Sequence, residues 1–128
     1  MLINLSNHPS TTWPDNQLAA TEKYGGVSDL AFPTVDPQAE SCQIEELAVK
    51  YEIKLRKLRA KGSFDQFAVH LMGELTFCCA LVIRLQKYDI KCVASTTTRK
   101  TSIQANGAKI SHFEFVRFRE YSNMNINR

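Results

Sequence analysis

The sequence lacks most of the signatures by which a chain declares its chemistry. Its 128 residues hold no GxGxxG run, no Walker loop and no GxSxG elbow. Dinucleotide redox chemistry and ATP hydrolysis therefore lose their usual support, and no cofactor is expected. The three histidines, His8, His70 and His112, show neither HxxxH nor HExxH spacing, which argues against a zinc site, and no metal is expected. Four cysteines (Cys42, Cys78, Cys79, Cys92) form no CxxC pair and no disulfide framework. Cys78 and Cys79 are neighbours in an apolar segment, so buried free thiols are expected. The longest apolar run, around Phe77 to Ile83, is too short to cross a bilayer, so no membrane partner is expected. The start MLINLSNHPS has neither the basic stretch nor the cleavage site of a signal peptide, and a cytoplasmic location is expected.

Charge of one sign is also scarce. A formal net charge of +3 is too small to suggest bulk nucleic-acid binding. Its distribution says more, because Arg99, Lys100, Lys109, Arg117 and Arg119 all fall in the last third. Such a bias suits a small anionic ligand.

What is present reads as one domain over residues 1–121, with 122–128 as a frayed tail. Hydrophobic residues at 44% and charged residues at 23% are an ordinary globular balance. Short strands are expected at Met1–Leu5, Val27–Phe32, Phe67–Met72 and Ile90–Ser95. A Thr12-x-x-Asp15 pattern resembles a capping box opening a helix over Asp15–Tyr24, with Pro14 at its first position, and Gly25-Gly26 stops it. Ile44, Leu47, Ala48, Tyr51, Leu55 and Leu58 recur at helical spacing, while Lys50, Lys54, Lys57 and Lys61 read as the solvated face of that helix. Gly62 ends it. Glu74–Tyr88 reads as a helix apolar nearly all round, buried by the sheet and by a neighbour or second subunit. Asn106-Gly107 between strand-like flanks signals a hairpin. In its second strand Phe113, Phe115, Arg117, Arg119 and Tyr121 should share one face, with Val116 and Phe118 opposite. Arg117 and Arg119 would serve either the site or an interface.

The alternation of strands and helices implies an α/β fold, three-layered, with helices on both faces of a mostly parallel sheet. Right-handed crossovers favour the order 2-1-3-4, extended by the C-terminal β-hairpin. Ligands in such sheets sit where the order reverses, beyond the carboxyl ends of the strands. Three segments should meet there: "SNHPS", "GEL" and "STTTRK". Asn7, Ser10, Ser95, Thr96, Thr97 and Thr98 offer hydrogen-bond donors, His8 a proton carrier and Arg99 a planar cation for phosphate. Gly73 would let a ligand approach free N–H groups at a helix N-terminus. Glu74 either caps that helix or contacts a ribose hydroxyl or adenine amino group, and the ligand role is the expectation. His70 and His112 read as strand residues, His70 in the core.

The segments "LINLSNHPS", "HLMGELTF", "CVASTTTR" and "FVRFREY" resemble small CRISPR-associated proteins related to the CRISPR-associated Rossmann fold (CARF) domains. The resemblance spans Leu2 to Tyr121. It implies a Rossmann-like fold, a homodimer, and binding of a cyclic oligoadenylate second messenger in antiviral signalling. Stand-alone members, the ring nucleases, also degrade the messenger. The loop Asn7-His8-Pro9-Ser10 matches the contact region after the first strand, and Gly73-Glu74-Leu75-Thr76 the second, which adds Thr76. Glu74 departs from the neutral or basic residue expected against phosphate. Ring-nuclease chemistry can run without metal: a ribose 2′-hydroxyl attacks the neighbouring phosphodiester and leaves a 2′,3′-cyclic phosphate. His8 would then be general acid or base, with Arg99 and the Ser95–Thr98 hydroxyls stabilising charge. The alternatives are a non-catalytic module that binds or sequesters a nucleotide, and a purely structural dimeric interaction protein.

Overall fold

The computed structural model describes residues 1–62 and 66–125. Strands β1 (Leu2–Ser6), β2 (Val27–Asp29), β3 (Ala68–Met72), β4 (Lys91–Ile103) and β5 (Lys109–Glu120) form one sheet in the order β2-β1-β3-β4-β5. The first four strands are parallel and β5 runs antiparallel to β4. The fold is thus α/β with a mostly parallel sheet, and β5 adds beyond β4. Among the described residues no helix is long and apolar enough to cross a membrane.

Among the described residues three helices cover the sheet: α1 (Asp15–Ala19), α2 (Ser41–Lys61) and α3 (Leu75–Gln86). Ile3, Leu5, Val69, Leu71 and Cys92 pack with residues of α2 and α3, among them Ala48, Leu55, Phe77 and Leu81. Leu2, Ala68 and Val93 belong to a second cluster with Trp13, Tyr24, Phe115 and Phe118. Being covered on both faces, β1 and β3 tolerate almost nothing but buried side chains. Asn4 and His70 are the polar exceptions that matter below.

The long helix follows its sequence pattern. Ile44, Ala48, Tyr51 and Leu55 are buried, Leu47 and Leu58 pack at the margin, and Lys50, Lys54, Lys57 and Lys61 are exposed. A capping box between Glu40 and Gln43 opens it and Gly62 caps its end.

Elsewhere the structure corrects the expectations. The helix from Asp15 stops at Ala19 and gives way to a 3₁₀ turn, Glu22–Tyr24. No Thr12 capping box forms: Pro14 is the N-cap, and the Thr12 hydroxyl donates to the Pro9 carbonyl at 2.8 Å. The run "STTTRK" is not a loop. It continues β4 as far as Ile103, because three successive β-branched threonines suit an extended chain and β5 supplies their partners. The register shifts between Thr96 and Thr97, where β5 inserts Val116 as a bulge. The bulge breaks the expected alternation, so Phe115 and Phe118 fall in the same cluster with ring centroids 4.9 Å apart, and Val116 is exposed. Cys79 is exposed while Cys78 and Cys92 are buried, and burial pushes both buried thiols up to about 12. The outer face of α3 is uncovered at Leu75, Cys79 and Ile83. Residues 122–125 of the supposedly frayed tail lie against α3: Met124 N–H donates to Gln86 Oε1 at 2.8 Å and Asn125 Nδ2 to the Ile83 carbonyl at 3.1 Å. Residues 126–128 lie outside the described residues.

Candidate functional site

A line of polar side chains crosses the sheet on the face covered by Trp13 and Phe118. Strand pairing sets Asn4 beside both Asp29 and His70. Asn4 is 1% exposed, yet every hydrogen-bonding position of its amide is used. Nδ2 donates to Asp29 Oδ1 and to the His8 carbonyl, each at 2.9 Å. Oδ1 faces His70 Nδ1 at 2.9 Å and Ser6 Oγ at 2.8 Å. His70 Nε2 in turn lies 2.7 Å from Ser95 Oγ, which receives a bond from Gln17 Nε2 at 3.0 Å. Four strands and α1 are joined by this chain of contacts.

Chemistry fixes its direction. A carboxylate and a carbonyl only accept, so the amide group facing Asp29 and the His8 carbonyl must be NH₂. The Asn4 oxygen therefore faces His70, and His70 Nδ1 carries the proton. Burial, with a smaller contribution from the charge of His8, lowers the His70 pKa from 6.5 to about 4. The ring is neutral at physiological pH, and its bare Nε2 accepts from the Ser95 hydroxyl. Trp13 and Phe118 wall the imidazole, with centroids 5.1 and 5.6 Å away. The Trp13 indole N–H is itself satisfied by the His8 carbonyl at 3.1 Å.

The first loop thus serves the site partly through its backbone, since the His8 carbonyl accepts from both Asn4 and Trp13 while the His8 residue is exposed. Ser10 is tied to Asp29 through its backbone N–H at 3.2 Å and its hydroxyl at 3.1 Å. Asn7 is exposed and lines a cavity of about 510 Å³ together with Asn4, Ser6, Pro9, Asp29 and Phe32.

The turn at Gly73-Glu74 does not join this group as expected. A Cβ on Gly73 would lie 2.2 Å from the Phe32 ring, so the glycine admits an aromatic side chain of the protein's own. Glu74 is the N-cap of α3 and accepts from the N–H groups of Thr76 and Phe77 at 3.0 and 2.8 Å. The Thr76 hydroxyl also donates to it, at 2.7 Å. The Thr76 hydroxyl and these two N–H groups hold the Glu74 carboxyl below its ordinary pKa. Donors that were to face an anion are thus occupied by the helix's own cap.

Along β4 the predicted residues spread out. Ser95 belongs to the polar line. Thr96 donates to the Arg117 carbonyl at 3.1 Å, and Thr97 and Thr98 are exposed. Arg99 Nη2 donates to Ser111 Oγ at 3.1 Å, and Arg99 pairs across the ribbon with Phe113. Arg99 lies four positions along the strand from Ser95, roughly 13 Å away. Asn4, Gln17, Asp29 and the central place of His70 were missed. The available signal was polarity inside two buried strands, Asn4 in "LINLS" and His70 in "AVHLM".

No curated protein and no solved structure matches the chain. The family model of the uncharacterized protein MJ1673 family matches residues 1–119, and the chain belongs to that family.

Proposed function

We propose that this protein binds a cyclic oligoadenylate second messenger at the carboxyl edge of its sheet, as a CARF-like, Rossmann-like protein of CRISPR antiviral signalling, and that the same site cleaves the ring. The observation that carries the reading is that the loop after β1, through the His8 carbonyl and Ser10, and Ser95 of β4 meet on one polar network, whose Asn4 and Asp29 line a cavity together with Asn7. Open parallel sheets hold nucleotides at this edge, where the strand order reverses. The cavity next to the Asp29 carboxylate suits ribose and base. Phosphate is better served by His8 and by Arg99 on the ribbon. Cleavage would be in-line attack of a 2′-hydroxyl on the adjacent phosphodiester, helped chiefly by alignment and charge stabilisation. The 2′-oxygen gives up its proton and bonds to phosphorus, the P–O5′ bond breaks, and the 5′-oxygen leaves as a hydroxyl, giving a 2′,3′-cyclic phosphate. Gly73, Glu74 and Thr76 have no part in this version of the site. A homodimer fits the reading, with the uncovered stripe of α3 or the apolar side chains of the β4–β5 ribbon as the surface between copies.

Incubation with cyclic tetra- and hexa-adenylate, followed by chromatography, tests the proposal. Linear product is the expected result. Intact ligand retained by the protein would leave binding and remove catalysis, and loss of both would overturn the reading.

A further inference from the structure

We infer that Ser95 presents only an acceptor to a ligand, and that the group it selects is a donor, the ribose 2′-hydroxyl of the cyclic oligoadenylate; the ligand's identity here rests on the function proposed above. A serine hydroxyl has one proton and two lone pairs. Asp29 and the His8 carbonyl orient the Asn4 amide, Asn4 sets the His70 tautomer, and His70 Nε2 takes the Ser95 proton at 2.7 Å. Gln17 Nε2 occupies one lone pair at 3.0 Å. One lone pair remains, and Ser95 is half-buried, so its hydroxyl is not sealed in the core as Asn4 and His70 are. A phosphoryl oxygen placed there would meet a lone pair, whereas a hydroxyl would find its acceptor. Ser95 therefore reads sugar, contrary to the charge-stabilising role its sequence context suggests. His70, Asn4 and Asp29 are positioning residues that act through it.

Two measurements test this. Affinities for cyclic tetra-adenylate and for its all-2′-deoxy counterpart are compared in the wild type and in Ser95→Ala. The wild type should prefer the ribose ring by about three- to tenfold, the worth of one neutral hydrogen bond. In Ser95→Ala the ratio should fall to about one, through weaker binding of the ribose ring alone. Equal weakening of both rings, with the ratio kept, would signify a phosphate contact and overturn the inference. Absence of binding of either ring by the wild type would instead overturn the ligand reading, and the hydroxyl assignment with it. The second measurement needs no ligand: nitrogen-15 chemical shifts of the His70 ring should show a protonated Nδ1 and a bare Nε2. A proton on Nε2 would overturn the acceptor assignment whatever the ligand.

Discussion

At the scale of the residue, His70 ties stability to pH. Its unfolded-state value of 6.5 is lowered to about 4, chiefly by burial. Between those values the unfolded chain binds a proton that the folded protein refuses, so stability falls as pH drops through that window. Above pH 6.5 the group adds no pH dependence. The full effect is about 3 kcal/mol. Denaturant titrations from pH 7 to pH 4 should show that loss, and His70→Phe, which keeps a ring between Trp13 and Phe118, should flatten it. An equally steep decline in the variant would place the acid sensitivity elsewhere. Little of this was legible in the sequence. Asn4 and His70 are each polar residues in apolar strands, yet Asn4 went unmarked, because their contact is a matter of register between residues 66 positions apart in the chain. Two apolar neighbours on each side give no hint of a partner, and so His70 read as an isolated core histidine.

At the scale of the element, the turn from β3 into α3 is a packing and capping device. Gly73→Ala would drive a methyl group into the Phe32 ring and should destabilise the fold by about 1–3 kcal/mol, as overpacking does. Replacing Phe32 with leucine in the same chain should relieve part of that cost, which thermal unfolding of the single and double variants would measure. Additive losses would mean that the ring is not the obstacle. Glu74→Ala should remove the cap and cost about 1 kcal/mol, without the loss of ligand affinity that a ribose or adenine contact would bring. Weaker ligand binding by the variant would restore Glu74 to the site. A glycine and a carboxylate at a strand-to-helix junction look alike whether they serve a ligand or a neighbour. Phe32 comes from a loop 41 positions away, and no local pattern predicts its arrival. Ser95–Arg99 misled differently: their polarity suggested a loop, whereas their β-branching suited the strand they form with β5. By contrast the buried face, the lysine face and the end of α2 were legible, because its pattern is local and runs for 21 residues, while its Glu40–Gln43 capping box was not.

At the scale of the whole molecule, the order of the parallel strands followed from alternation and handedness, which need no side-chain detail, whereas the expected hairpin beyond β4 has β4 itself as its first strand. The faces left uncovered carry the remaining expectation. Leu75, Cys79 and Ile83 recur every four residues on α3, and Ile103, Phe113 and Val116 are exposed on the ribbon. Light scattering at micromolar concentration should give twice the mass of the chain, and the mass of one chain would contradict the homodimer. The central claim is that the polar network at the carboxyl edge belongs to a site for a cyclic oligoadenylate, and the molecule carries its own reporter there. Trp13 is the single tryptophan, packed edge-on against His70 and bonded to the His8 carbonyl. Titration with cyclic tetra- and hexa-adenylate, followed by Trp13 fluorescence, should give a saturable change with one ring size, its midpoint moved about three- to tenfold higher in Ser95→Ala, the worth of one neutral hydrogen bond. A flat titration of the wild type with both rings would contradict the account.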